Sequence, residues 1–348
     1  MSREIWCRWD DVRDASANDA TIALPSWRAV PPPAAPAEGP ASGFEELFRR
    51  HYPALRGLLA KRQGPGLAIL LTSGEQLQAS AWMGARRDDI HAVVVGRHTH
   101  CDLFLPSDTR LSLRHLAVVL HRQRDDAPVR FRVCDLRTPT AFGDEKGQPL
   151  RALEAEGPLL LRCASFEALL FPRQAGEPLL PEDPAEAWEH VPERVYVEAE
   201  GPDPERRPLR PVLDAGVLDP RQTLALTFPG PRHVSPAQPA SGPAVGELLI
   251  EARGQRVSLA VGARQLRQGL LVGRYDRCDG GGLPMLGSEL SRVHALVTEF
   301  EGELHAIDTG STNGCWSGSQ LVRSARLWPS GTPVVLAGWT EISWRPYH

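Results

Sequence analysis

Three short blocks occur twice in this chain, in the same order. Val94-Val95-Gly96-Arg97-His98-Thr99-His100-Cys101-Asp102 is matched by Leu271-Val272-Gly273-Arg274-Tyr275-Asp276-Arg277-Cys278-Asp279. Ser112-Leu113-Arg114-His115 is matched by Ser291-Arg292-Val293-His294, and each leads into an apolar run. Asp135-Leu136-Arg137-Thr138-Pro139-Thr140-Ala141 is matched by Asp308-Thr309-Gly310-Ser311-Thr312-Asn313-Gly314. A repeat that keeps its order reads as duplicated structure. The fold therefore has to accommodate two similar units.

Around both sets of blocks the apolar residues come in short runs separated by Gly, Pro and Asp. Ala68–Leu71, Ala92–Val95, Leu116–Leu120, Val129–Val133 and Leu159–Leu161 read as strands of the first unit. Leu248–Ile250, Val257–Leu259, Leu270–Val272, Ala295–Val297, Val334–Leu336 and Ile342–Trp344 read as strands of the second. That spacing predicts an all-β chain of two β-sandwiches, over 67–172 and 244–348. Ahead of them, Phe44, Leu47, Phe48, Leu55, Leu58 and Leu59 recur at helical spacing. Residues 44–66 thus read as a helical segment packing on the first sandwich, with Pro53 kinking it or dividing it in two. Proline also marks the remainder: residues 1–43 read as a flexible Pro/Ala-rich tail, and 173–243 hold 14 of the 32 prolines. The latter read as a linker with some docked pieces, Arg194–Val197 and Thr223–Thr227 being edge-strand candidates.

Composition excludes several classes. Hydrophobic residues make up 42% of the 348, enough for real cores. A net charge of −4 leaves no global basic field for nucleic acid. No apolar run reaches membrane-spanning length, and Met1–Asp14 lacks a signal-like apolar stretch, which points to the cytoplasm. The six cysteines never form a CxxC pair, which fits a reducing compartment. Arg, Ala and Pro richness with only two lysines, Lys61 and Lys146, suggests a bacterial genome.

Gly-Arg, then Ser-Arg-x-His, then Asp-x-x-Ser-Thr-Asn-Gly, at the spacings found over about 246–346, resembles the forkhead-associated (FHA) domain. The resemblance implies an eleven-stranded β-sandwich whose loops at one end bind phosphothreonine peptides. It identifies Arg274, Ser291, Arg292, Thr312 and Asn313 as peptide-contacting positions, and His294 as the histidine that organises the loops. The region 67–172 is similar to a second, divergent copy, with His115 in the place of His294.

The residue chemistry suits that expectation. A phosphothreonine carries close to two negative charges and three acceptor oxygens. Arg274 follows a strand and can donate two parallel bonds from an anchored base. Ser291 adds a hydroxyl, Arg292 a second cation, and Thr312 a hydroxyl or an N–H. Asn313 has donors and acceptors suited to a peptide backbone. Gly273 and Gly314 read as backbone-permissive turn positions. Singly, each has a bland alternative: solvated loop charges, a capping serine, a tight Ser-Thr-Asn-Gly turn.

The first copy keeps Arg97 and Ser112 but departs elsewhere. Leu113 stands opposite Arg292, Pro139 opposite Thr312, Thr140 opposite Asn313 and Ala141 opposite Gly314. Proline has no N–H, so Arg97 and Ser112 read as the remnant of a weakened or lost site. The wider His115-to-Asp135 spacing predicts a longer hairpin around Gln123–Pro128.

His98-Thr99-His100-Cys101 lacks a distant second ligand pair, so no metal is expected, nor any cofactor. Cys101 and Cys278 read as small buried residues. No P-loop, nucleophile elbow or catalytic constellation appears. The expected function is a non-enzymatic phosphothreonine-peptide adaptor downstream of a Ser/Thr kinase, whose partner is a threonine-phosphorylated protein. The alternative is a phosphate-independent scaffold using FHA-like sandwiches for protein–protein contacts. Thr21, with Leu24 three residues on, is a candidate internal phospho-ligand in the tail.

Overall fold

The computed structural model describes residues 43–347 apart from 63, 88–89, 122–126, 193, 201–232, 235–242, 276, 280–282, 284 and 330. The expected tail (all but Gly43), the Thr21 ligand, the strand at Thr223–Thr227 and most of the long hairpin lie outside the described residues.

The first unit opens with helix α1 (Phe44–Ala60). Strands β1 (Gly66–Ser73), β2 (Gln76–Gly84), β3 (His91–Gly96), β4 (Leu103–Phe104), β5 (Leu116–Leu120) and β6 (Phe131–Asp135) follow. Then come β7 (Phe142–Gly143), β8 (Pro149–Leu150), β9 (Ala152–Ala155), β10 (Leu159–Cys163), β11 (Phe166–Arg173), α2 (Pro184–Glu189) and β12 (Tyr196–Glu200). Two six-stranded sheets result, β2-β1-β11-β10-β7-β8 and β12-β9-β6-β5-β3-β4.

The second unit contains β13 (His233–Val234), β14 (Ala244–Ala252), β15 (Gln255–Gly262), α3 (Ala263–Gln268), β16 (Leu270–Val272), β17 (Ala295–Phe300) and β18 (Glu303–Asp308). It closes with β19 (Cys315–Ser317), β20 (Gln320–Val322), β21 (Ser324–Arg326), β22 (Val334–Leu336) and β23 (Thr340–Pro346). Its sheets run β13-β15-β14-β23-β22-β19-β20 and β16-β17-β18-β21. Both units are thus sandwiches of largely antiparallel sheets, and the chain is mostly β.

Several strands are apolar on both faces, which requires two-sided burial. In β1, Leu67, Ile69 and Leu71 point into the first core, while Ala68 and Leu70 face a helical layer. That layer is α1, whose Phe44, Phe48, Tyr52, Leu55 and Leu59 pack on Leu160, Leu169 and Phe171. Pro53 does not divide it: α1 is one helix across that residue. Tertiary packing of a strongly amphipathic face outweighs the single backbone bond that proline removes. Short α2 completes the layer. Asp183 caps it by accepting from Ala185 and Glu186 N–H, with Pro184 in the first turn. Trp188 stacks near Phe44 and Phe48, both at 5.4 Å between ring centres.

The two-sided strands β5 and β17 have a different cover, namely each other's sandwich. Val94, Ala117, Val119, Cys134 and Leu136 of the first unit form one cluster with Leu271, Cys278, Val293, Leu296, Phe300 and Ile307 of the second. Polar ties frame it. Buried Arg132 pairs with Glu154 and donates to Thr298 Oγ1 (3.1 Å) and the Glu299 carbonyl (2.7 Å). Arg137 donates to the Gly269 carbonyl (2.9 Å) and pairs with Asp279 at 3.2 Å, while Arg323 pairs with Asp102. The two sandwiches therefore share an apolar, hydrogen-bonded face.

Candidate functional site

The Gly-Arg and Ser-Arg-x-His segments of the second sandwich lie side by side. Arg274 N–H donates to the Ser291 carbonyl (3.2 Å), Tyr275 N–H to Arg292 (3.0 Å), and His294 N–H back to Val272 (2.9 Å). Gly273 is required by this approach: a Cβ there would sit 2.3 Å from the Arg292 carbonyl oxygen. Its need is for space, whereas Gly314, at φ +73°, has the expected left-handed backbone. The Cys-Asp pair fastens the same segments. Cys278 Sγ donates to the Arg292 carbonyl at 3.2 Å, and Asp279 accepts the Leu271 N–H at 2.9 Å.

His294 is buried between the two loops. Its Nδ1 accepts the Ser291 N–H (3.1 Å) and its Nε2–H donates to the Gly314 carbonyl (2.9 Å). Asp308 holds the facing loop by accepting from Gly310 N–H (2.7 Å), Ser311 N–H (2.8 Å) and the Ser311 hydroxyl (2.5 Å). Across the gap, Thr312 N–H donates to Ser291 Oγ at 3.0 Å. The Ser291 hydroxyl is an acceptor there and keeps its own proton available to a ligand. Asn313 spans the loops, donating its side-chain N–H to the Glu289 carbonyl at 2.7 Å.

These elements surround a cleft of about 340 Å³ that Arg274, Ser291, Arg292, Thr312 and Asn313 all line. Gly273, His294 and Gly314 stand behind it as supports. Arg274 and Arg292 are exposed, and neither has a side-chain hydrogen bond or ion pair among the described residues. The carboxylate on the lining, Glu289, is paired with Arg253 at 3.0 Å. The cleft therefore presents two guanidinium groups without a carboxylate partner among the described residues beside a hydroxyl held by Thr312, an arrangement suited to an anion with several acceptor oxygens.

The first sandwich repeats this scaffold bond by bond. Ser112 N–H donates to His115 Nδ1 (3.1 Å), His115 N–H to Val95 (2.8 Å), and Arg97 N–H to Ser112 (3.1 Å). The ligand-facing part differs. Arg97 Nε is turned onto the Leu111 carbonyl at 2.6 Å. Pro139 has no N–H to offer Ser112, and among the described residues His115 Nε2 makes no hydrogen bond of ordinary geometry. Sequence reasoning did not anticipate that His98, Leu113 and Arg114 of this sandwich also line the cleft of the second. Leu113, read as a lost cation, carried that signal as an apolar residue in an exposed loop.

Two candidate metal groupings carry other bonds. His294, Asp308 and Cys315 converge within 4.8 Å, but both imidazole nitrogens are already engaged as described. In the His98–Cys101 loop, His98 Nδ1 accepts the His100 N–H and Cys101 Sγ donates to the Leu113 carbonyl. Burial pushes the Cys101 thiol up to about 11, so it stays protonated. Cys278, also buried, is pushed up to about 12. No described helix is long and apolar enough to cross a membrane. Of the C-terminal tryptophans, Trp344 is in the core, whereas Trp328 and Trp339 are exposed.

Residues 270–336 match the family model of the FHA domain, an interaction module, so the second sandwich carries an FHA domain. Among solved structures, the FHA-1 domain of Mycobacterium tuberculosis Rv1747 is 23% identical. It covers 29% of this chain and 99% of its own, with a TM-score of 0.24. The FHA domain of CT664 from Chlamydia trachomatis is 15% identical, covering 30% and 96%, with a TM-score of 0.25. The yeast Dun1 FHA domain, solved with a doubly phosphorylated Rad53 peptide, is 13% identical, covering 35% and 84%, with a TM-score of 0.28. Comparison with curated proteins found no match.

Proposed function

We propose that the second sandwich reads threonine-phosphorylated protein, and that the chain is a non-enzymatic adaptor downstream of a Ser/Thr kinase in a bacterial cytoplasm. The observation that carries this reading is the convergence of Arg274 and Arg292, both without a carboxylate partner among the described residues, on one cleft with Ser291 Oγ and Thr312. A phosphothreonine dianion satisfies both cations and accepts from the hydroxyl. Asn313 is placed to meet the peptide backbone. The FHA match over 270–336 supports the same reading.

The first sandwich, 67–172, is in this reading a divergent FHA-type copy that has lost its own phosphate site. Arg97 is spent on the Leu111 carbonyl, and Pro139 removes a donor. Its contacts are phosphate-independent, and its shared face with 244–348 makes the pair one unit.

The test is fluorescence anisotropy of the full chain with phosphothreonine peptides, beside unphosphorylated and phosphoserine controls. Arg274→Ala is expected to weaken phosphothreonine binding by about 10- to 100-fold, the range for a lost hydrogen bond to a charged group. Equal binding of phosphorylated and unphosphorylated peptides would replace this reading with the scaffold.

A further inference from the structure

We propose that the first sandwich forms a wall of the peptide cleft: Leu113 and the His98 ring seat an apolar side chain flanking the phosphothreonine, and Arg114 fixes the loop bearing Thr312 and Asn313. This rests on the phosphothreonine reading of the Arg274 site.

The cleft belongs to both sandwiches, since His98, Leu113 and Arg114 line it together with Arg274 and Arg292. The wall is held in place before any ligand arrives. The Leu113 carbonyl accepts from His98 N–H at 2.9 Å and from Cys101 Sγ at 3.2 Å. The His98 ring is oriented by the His100 N–H on its Nδ1 and by edge contact with the His100 ring at 4.9 Å. Leu113 is still 36% exposed, an apolar side chain left open beside the cleft.

Arg114 acts differently. It is buried, and its Nε and Nη2 donate to the Thr309 (2.9 Å) and Gly310 (2.5 Å) carbonyls, just ahead of Thr312. A Cβ on Gly310 would lie 2.6 Å from the His100 carbonyl oxygen, so the first sandwich abuts this loop directly. The charge pattern selects the occupant. The guanidinium groups on the lining draw a phosphate dianion, and an aliphatic neighbour on that peptide gains by covering Leu113.

The experiment scans each position flanking phosphothreonine, Leu against Ala, by anisotropy with the full chain. Wild type is expected to prefer Leu at one position by about tenfold, the worth of burying roughly half of such a side chain. Leu113→Glu and His98→Ala are expected to bring that ratio toward one, with folding checked by circular dichroism. A peptide carrying a photoreactive residue at the preferred position is expected to crosslink wild type within residues 95–121, which decides the matter should a variant not fold. An unchanged Leu/Ala ratio in both folded variants, or crosslinking confined to 244–348, would overturn the shared cleft while leaving the phosphothreonine reading intact. Binding that ignores phosphate, or that Arg274→Ala does not weaken, would overturn both.

Discussion

Thr312 donates its backbone N–H to the Ser291 hydroxyl at 3.0 Å, joining the two loops that face the cleft. At the corresponding point of the first sandwich, Pro139 has no proton to give Ser112. Thr312→Pro therefore recreates in the second sandwich the difference that separates the two. It is expected to weaken phosphothreonine peptide binding by about 2- to 10-fold, as for a lost neutral hydrogen bond that positions the Ser291 hydroxyl. Ser291→Ala, which removes the hydroxyl donor to the phosphate itself, is expected to weaken it by about 10- to 100-fold. Anisotropy titration of the two variants checks this, and wild-type affinity in both would remove the loop bridge from the binding mechanism.

Gly273 supports the site through space alone. An alanine methyl would meet the Arg292 carbonyl oxygen at 2.3 Å, and its three nearest neighbours are all backbone atoms of Arg292 and Val293, none of them the end of a flexible side chain. Gly273→Ala is expected to cost about 1–3 kcal/mol, as for overpacking, and to displace Ser291 and Arg292 with the loop. Urea denaturation and peptide titration together should show both losses. A stable variant with intact binding would contradict the tight approach.

The blocks that position the site were legible in the sequence because each depends on local chemistry. Ser-Arg-x-His and Asp-x-x-Ser-Thr-Asn-Gly fix their loops through bonds to near neighbours, and Gly-Arg through its close approach to the Ser291–Arg292 backbone; both kinds of constraint leave a residue pattern. The face shared by the sandwiches was not legible. A run such as Leu116–Leu120 announces two-sided burial without saying what covers the second face, and β1 with the same pattern is covered by a helix. The helix α2 carried a signal, Asp183 followed by Pro184, that a proline-dense region obscured. The contribution of Leu113 and Arg114 to the cleft depends on how the sandwiches dock, which no local pattern encodes.

Arg323 joins the sandwiches at a second place. It pairs with Asp102 of the first and lies 3.5 Å from Asp308 of the second. Burial raises the Asp102 carboxyl, and the Arg323 guanidinium is the main influence opposing that rise. Arg323→Ala leaves Asp102 poorly compensated in a largely buried place. A loss of about 3 kcal/mol is expected, at the lower end of the range for breaking a buried pair. The double variant with Asp102→Asn is expected to recover part of it, because the stranded charge is gone. Equilibrium urea unfolding of the single and double variants measures the coupling. Additive losses would mean that the pair contributes nothing across the interface.

Acid should loosen the molecule through its buried histidines. Burial, reinforced by Arg151, holds His115 down at about 4, with the nearby Thr140 carbonyl pulling the other way. His121, packed edge-on to Phe300 at 4.4 Å, is held at about 3 by burial and then by Arg132, Arg130 and His305, with Glu154 at 3.9 Å. Burial also lowers His294. All three are neutral in the folded state, while in the unfolded chain they take up protons near pH 6.5. The unfolded state then binds more protons, so stability is complete above about pH 6.5 and declines as pH falls toward the folded values. Each fully engaged histidine contributes a slope of up to about 1.4 kcal/mol per pH unit. Buried Asp102 and Asp135 are shifted upward by burial and act in the opposite sense above the ordinary carboxylate range, so the histidine effect is isolated by comparing wild type with a histidine variant between about pH 7 and 5. Thermal melts across that window should show wild type losing stability on acidification. His121→Phe keeps an aromatic ring against Phe300 and removes the proton site and two buried nitrogens that have no hydrogen bond among the described residues. It is expected to flatten the pH dependence and to exceed wild type in stability at pH 5. An equal slope in the two proteins would show that His121 is not part of the acid response.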